Sequence, residues 1–383
     1  MPSWLRDRVR FDRNEFSGAF GDIGTDFPLV VGMILVAGLD SASVLILFGA
    51  MQILTALAYG LPVPVQPLKA MAVLVITQKL SGDVLYGGGL AIGISMLLLA
   101  STGALDWLAR VVPKSVVRGI QFGLGLQLGM LALGDYVRND GLAGYLLAAI
   151  AFLITLALLG NRRFPPAPFV ILIGLVYALA FRLDSGELGR TAGFSLPVLR
   201  TVTYNDLMTG FLLLALPQIP LSLGNSILAT RQVVEDFFPD RRLSIRRIGL
   251  TYSLMNLINP WFGGIPTCHG SGGVAGHYAF GARTGGSVVI YGLFYLLLGL
   301  FLGGGFHLAI ELFPKPVLGV ILLFEALALL RLTADVAGSK SDFAIVLLVG
   351  LTAVTLPYGY VIGLVVGTVL AYLVRRGITG LAR

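Results

Sequence analysis

Few side chains in this sequence could do chemistry, and most of them sit in two short stretches broken by proline and glycine. One runs from Ile265 to Gly285 (I-P-T-C-H-G-S-G-G-V-A-G-H-Y-A-F-G-A-R-T-G) and carries the only cysteine and two of the three histidines. The other, L-P-V-P-V-Q-P-L-K-A at 61–70, carries Gln66 and Lys69. Pro266 has no N–H and disfavours helix at Ile265, so the chain breaks there and can restart a helix from His269. Lys69 opens the corresponding half-helix after Pro67. A helix that begins inside an apolar medium directs free N–H groups and the positive end of its dipole at whatever lies in front of it. That is a ready-made anion site.

The residues around the breaks suit that chemistry. Gly270, Gly272 and Gly273 let backbone N–H groups approach a ligand closely, and Lys69 adds an ammonium. Thr25, Gln66, Gln218, Ser222, Asn225, His269 and Ser271 add neutral hydrogen-bonding groups. Nothing resembles an aromatic cage or a base-reading set, so the pattern favours a small tetrahedral oxyanion over a nucleobase. A plainer reading stays open at each point. The glycines could serve helix packing, Lys69 could snorkel or pair with an aspartate, and His269 could be a structural hydrogen-bond partner.

Three carboxylates lie in apolar surroundings, where charge is costly and usually functional. Asp22 and Asp26 are one helical turn apart and are expected on one face. Asp26 is the preferred proton carrier, because Asp22 lies in the G-D-I-G-T break and could be capping backbone. Proton binding to this pair would favour anion binding, which is the linkage a symporter needs. Glu325, distant in sequence, reads as structural or gate-lining. No cofactor is implied.

These residues are embedded in a membrane protein. The chain has 383 residues, 56% hydrophobic and only 12% charged, with a mean hydropathy of +0.87; soluble domains carry about 25% charged residues. The net charge of +7 comes from basic residues in short loops rather than one patch, so nucleic acid is not an expected partner and the lipid bilayer is. One cysteine excludes an intramolecular disulfide and any cysteine-based metal cluster, and no metal site is expected. The N-terminus is charged and does not read as a secretory signal peptide.

Apolar segments give an all-α polytopic fold with about fourteen spans. They fall near 16–37, 41–60, a half-span at 66–79, 84–104, 115–134, 142–159 and 166–182, then 207–229, 247–263, a half-span at 269–281, 285–307, 316–331, 342–356 and 358–374. Fusing the last two at Pro357 would give thirteen. With both termini cytoplasmic, 20 of the 27 Lys and Arg residues fall inside, six outside and Lys69 within the membrane, a strong positive-inside bias. The breaks recur. Pro64 and Pro266 are 202 residues apart (266 minus 64), and the proline-containing segments at Pro28 and Pro220 are 192 apart (220 minus 28). Seven spans per half invert the second half, so the chain reads as a 7+7 inverted repeat: residues 1–183, an extracytoplasmic linker at 184–206, and residues 207–383. Two half-helices would meet at mid-membrane.

On G-D-I-G-T at 21–25, P-V-Q-P-L-K-A at 64–70, P-Q-I-P-L-S-L-G-N-S at 217–226 and the C-H-G-S-G-G…F-G-A-R-T-G block at 268–285, the chain resembles the bacterial and plant molybdate transporters. These are distantly related to the SulP sulfate permeases. The resemblance implies a SulP/uracil permease-like fold in which a core (16–104 and 207–307) moves against a gate (115–182 and 316–374). It implies import of molybdate across the cell inner membrane by alternating access, with protons as a candidate coupling ion. A sulfate permease of the same fold, or an anion channel, is the alternative. Many members of that family carry an apolar residue where Asp26 stands. Ending at Arg383, the chain is expected to lack the cytoplasmic regulatory domain common in SulP permeases. A homodimer is compatible with the sequence. An intramembrane enzyme using Cys268, His269 or Ser271 is not expected, because adjacent residues on a helix do not face one another and a nucleophile needs a base within reach.

Overall fold

A computed structural model describes residues 8–159, 166–181 and 193–378. Residues 1–7, the basic pair Arg162–Arg163, residues 184–192 of the expected linker, and 379–383 lie outside the described residues, so both expected cytoplasmic ends do too. The first half contains α1 (Arg13–Gly18), α2 (Ile23–Ala37), α3 (Ser41–Tyr59), β1 (Val65–Pro67), α4 (Lys69–Gln78), α5 (Gly82–Thr102), α6 (Ala104–Val111), α7 (Lys114–Leu131), α8 (Gly141–Leu158) and α9 (Pro166–Phe181). The second contains α10 (Tyr204–Phe237), α11 (Ile245–Ile258), β2 (Thr267–His269), α12 (Ser271–Ala279), α13 (Gly286–Leu312), α14 (Lys315–Arg331), α15 (Lys340–Thr355) and α16 (Gly359–Arg375). A helix stands in each of the fourteen expected span ranges. Seven of them (α3, α5, α7 with its following turn, α8, α10, α13 and α14 with its following turn) are long and apolar enough to cross a membrane. On α8, Leu142, Leu146, Ile150 and Leu153 are exposed, an apolar face suited to lipid.

Two expectations are corrected in detail. The first span is not one helix: α1 stops at Gly18 and α2 starts at Ile23, with Asp22 at its N-cap position but without a side-chain capping bond. Gly21 in that break presses on the Gly276 backbone, where an added Cβ would lie 2.6 Å from the carbonyl carbon. The span expected at 207–229 is instead a 34-residue helix that continues through Phe237. The charged run extends it as a polar last two turns, with Arg231 Nε 2.7 Å from Glu235 Oε1. Pro217 and Pro220 do not break this helix, because widened turns at Phe211–Ala215 and Ser222–Leu228 flank them and absorb the missing N–H donors. The last two spans are separate. Pro357 stops α15, and Tyr358 adopts a left-handed φ of 53° before α16.

Helix packing falls into two groups. α3 lies against α13, and α5 against α10 and α11, so the halves interleave. α7 lies against α14 and α15, and α15 against α16. Small residues permit the closest crossing, between α5 and α10: a Cβ on Gly210 would sit 2.1 Å from the Gly88 nitrogen.

Within the first group, β1 and β2 form a two-stranded antiparallel ribbon pairing Val65 with His269, Gln66 with Cys268 and Pro67 with Thr267. Shifting by 202 residues carries Gln66 onto Cys268, Val65 onto Thr267 and Pro67 onto His269. The ribbon's pairing is therefore its own image, and the internal two-fold passes through Gln66 and Cys268. The ribbon's outer edges would leave backbone groups unpaired among apolar helices, which is not tolerated. Side-chain amides cover both edges in the same way. Gln52 donates from Nε2 to the Val65 carbonyl and accepts from its N–H, both at 2.7 Å. Asn256 donates to the Thr267 carbonyl at 2.6 Å and accepts from its N–H at 2.9 Å. Replacing Gln52 with Leu orphans two buried backbone groups at about 1–3 kcal/mol each. A thermal melt in detergent should fall by several degrees for Gln52→Leu and Asn256→Leu, and an unchanged melt would contradict this role.

Candidate functional site

In front of the ribbon lies a cavity of about 340 Å³, walled by both halves of the chain. Of the residues expected at the site, Asp22, Thr25, Gln66, Lys69, Gln218, Asn225, Ser271 and Gly272 line it. Gln121, Ser226, Cys268 and Glu325 join them. His269, Gly270, Gly273 and Asp26 are not on its wall.

The half-helices α4 and α12 both start here, but they are not equivalent. Gln218 Oε1 accepts from the backbone N–H groups of Ala70 (2.9 Å) and Met71 (3.3 Å), so it caps α4. Its Nε2 donates to Ser222 Oγ at 3.0 Å, which in turn bonds Tyr252 Oη at 2.8 Å. At α12 the N-cap residue is Gly270, which offers no capping side chain, and Gly272 faces open space with nothing within 4 Å of an added Cβ. The first-turn N–H groups of α12 have no intrahelical partner, so this is the end available to an anion. Ser271 Oγ donates to Asn225 Oδ1 at 3.2 Å on the same wall.

The other two glycines serve packing. A Cβ on Gly270 would lie 1.4 Å from Gln66 Oε1, and one on Gly273 2.6 Å from Asp22 Oδ2. Their bareness lets Gln66 lie across the start of α12 and donate to Asp22 Oδ2. His269 points away from the cavity, with Nε2 3.0 Å from Thr251 Oγ1 and 3.3 Å from Tyr59 Oη. It fixes the far side of the ribbon.

The carboxylates part company. Asp22 precedes the first helical turn, so its side chain reaches the cavity. Asp26, four residues on and fully buried, points into the protein, where its Oδ2 accepts from Tyr291 Oη at 3.0 Å. Tyr291 and Tyr295 lie 3.0 Å apart beyond it. Lys69 pairs with neither aspartate: its Nζ is 2.7 Å from Glu325 Oε1. Sequence reasoning placed Glu325 away from the site because it is 256 positions from Lys69. The signal that could have found it was its charge, a lone carboxylate in the middle of an apolar span.

Beyond the cavity mouth a second space of about 480 Å³ shares Gln121, Asn225, Ser271 and Leu332 and runs out to Lys114 and Arg118. Both basic side chains reach Asp335, at 2.8 and 2.5 Å. An anion moving along this route meets positive charge at the mouth and again at Lys69.

Comparison with known proteins gives the family and the fold. Residues 14–128 and 210–329 match the model of a family described as "Molybdate transporter of MFS superfamily". The chain is 35% identical to molybdate transporter 2 of Arabidopsis thaliana over 92% of its length and 86% of that protein. It is 32% identical to molybdate transporter 1 of the same plant, over 93% and 87%, and 26% identical to molybdate transporter 1 of Chlamydomonas reinhardtii, over 94% and 92%. These relatives are named as transporters, not enzymes. The fold is that of the SLC26/SulP transporters, with a 7+7 inverted repeat. The transmembrane domain of a cyanobacterial bicarbonate transporter, BicA, superposes with a TM-score of 0.67 at 16% identity, over 95% of this chain and 98% of that one. The murine Slc26a9 anion transporter in its inward-facing state gives 0.72 at 14%, over 98% and 70%. By its family match, its relatives and its shared polytopic fold, the chain belongs to the molybdate transporter family.

Proposed function

We propose that this protein is a secondary active transporter that imports a tetrahedral oxyanion, molybdate first, by alternating access. The observation that carries the reading is the cavity in which the ammonium of Lys69, the uncapped N-terminus of α12 and the side chains of Gln66, Asn225 and Ser271 converge. Donors from backbone and neutral side chains around one cation suit a compact oxyanion, which accepts hydrogen bonds in every direction. Sulfate shares that charge and shape, and the relatives' names favour molybdate. In this reading the α2–α5 and α10–α13 group is the core, which carries the site, and the α7–α9 and α14–α16 group is the gate. The route toward Lys114 and Arg118, assigned inside by the charge tally, makes this an inward-open arrangement in the inner membrane.

Import of a dianion into a negative-inside cell works against about 2.3 kcal/mol per charge per 100 mV, which a co-transported cation would offset. Asp22, rather than Asp26, is the carboxylate placed to sense the anion, because it shares the cavity. An ionised Asp22 repels the oxyanion and a protonated one does not, so proton and oxyanion favour each other's binding. Protons thus enter with the substrate. Asp26 serves to hold the Tyr291–Tyr295 pair behind α2.

Radiolabelled molybdate uptake into proteoliposomes, with sulfate as competitor and an imposed pH gradient, tests the reading. Saturable uptake that sulfate competes for and an inward proton gradient drives is the expected result; uptake that does not saturate would favour a channel. Gly272→Val starts a side chain in the open cavity, with nothing within 4 Å of its Cβ. It should abolish binding in a protein that melts normally, and unchanged affinity would move the site elsewhere. Lys69→Gln should weaken oxyanion binding by about 1.5–3 kcal/mol, roughly tenfold or more in Kd. With the sign above, wild-type affinity rises as pH falls. In Asp22→Asn the affinity is high and flat with pH, while Asp26→Asn keeps the wild-type profile.

A further inference from the structure

Resting on the oxyanion reading, we propose that Glu325 is an internal competitor for the substrate. Its carboxylate holds Lys69 while the site is empty. The entering oxyanion takes Lys69 from it, and this exchange of partners unlatches the core from the gate.

Three observations converge on this. First, Lys69 lies on α4 and Glu325 on α14, so theirs is an ion pair that joins the two helix groups. Lys114 and Arg118 pair with Asp335 inside the gate group, Arg231 pairs with Glu235 inside α10, and His307 lies by Glu311 inside α13. Secondly, both partners line the cavity, with the ammonium the more exposed of the two. The Lys69 side chain is 24% exposed toward the cavity while that of Glu325 is 9% exposed, so a ligand can reach the ammonium before the bond breaks. A carboxylate and a tetrahedral oxyanion offer Lys69 the same charged oxygen acceptor, and the second can replace the first without leaving the ammonium bare.

Thirdly, the displaced carboxylate has somewhere to go. Glu325 also lines a second cavity of about 250 Å³, on the α8 and α9 side, together with Gly21, Thr25 and Thr155. A buried carboxylate without a partner is costly. Thr25 lines both cavities and Thr155 the second, so the displaced carboxylate stays beside hydroxyl groups. Asp22 shares the first cavity but receives Gln66, and so does not substitute for Glu325 at Lys69.

The consequence is kinetic. An empty carrier keeps the core–gate bond and reorients slowly, whereas a loaded one has given it up. Exchange of substrate across the membrane then outpaces net uptake. Glu325 is in this sense a specificity and coupling residue: only a ligand that competes for Lys69 releases the core.

The test uses wild type, Glu325→Gln and the double variant Lys69→Gln/Glu325→Gln, each purified and reconstituted. Molybdate binding is measured at equilibrium, and uptake is measured into vesicles that are empty or preloaded with unlabelled molybdate. Glu325→Gln should bind molybdate roughly tenfold more tightly. Its ratio of exchange to net uptake should fall from several-fold toward unity. The double variant should bind weakly yet keep the low ratio, and it decides the matter by that ratio alone if the unpaired lysine of Glu325→Gln prevents folding. A folded Glu325→Gln that binds no more tightly than wild type, or variants that retain the wild-type ratio, would overturn the proposal while leaving the oxyanion reading intact. Absence of saturable molybdate or sulfate binding by the wild type would overturn both.

Discussion

The structure depends on satisfying a short piece of non-helical backbone in the interior of an apolar protein. A helix needs no outside help with its hydrogen bonds, but two helices that begin midway leave strands whose edges face apolar neighbours. Here the strands pair with each other, and each remaining edge is closed by one side-chain amide, Gln52 on one side and Asn256 on the other. Everything functional follows from that solution. The two half-helices can aim their N-termini at one place only because the ribbon between them is anchored.

Symmetry supplies the scaffold and its breaking supplies the site. The 202-residue shift that superposes the strands also carries Lys69 onto Ser271, so one half-helix begins with a cation and the other with a hydroxyl. The 192-residue shift of the upstream segments carries Asp26 onto Gln218. Gln218 caps its half-helix, whereas Asp26 turns to Tyr291 and leaves α12 uncapped. One end of the pair is thus electrostatically complete and the other open. An anion placed there meets unpaired backbone donors on one side and an ammonium on the other.

The cavity also joins the two helix groups, which gives binding a mechanical consequence. Most of its wall belongs to α2, α4, α10 and α12, but Gln121 on α7 and Glu325 on α14 come from across the gap. A ligand held there would lie at the boundary between the two groups. Positive charge at the mouth is held by Asp335.

Much of this was fixed before any coordinates. Hydropathy set a polytopic helical chain. The paired breaks at Pro64 and Pro266 set an inverted repeat, because proline and backbone sterics act locally and leave a mark in any fold. Lys69, Gln66, Ser271 and Gly272 were legible as candidate site residues, and all four line the cavity, since a half-helix start is where a polar residue in an apolar chain has a reason to be. What the sequence could not decide is which way neighbouring side chains turn. Asp22 and Asp26 share a helical spacing, yet Asp22 precedes the first helical turn and only it reaches the cavity. Gly270 and Gly273 read like Gly272, but the first two make room for Gln66 and Asp22. The partner of Lys69 was beyond local reasoning altogether, because Glu325 meets it through the packing of α14 across the cavity. Local backbone chemistry determined where the site would be; the meeting of distant helices, which no spacing encodes, decided which charges face each other inside it.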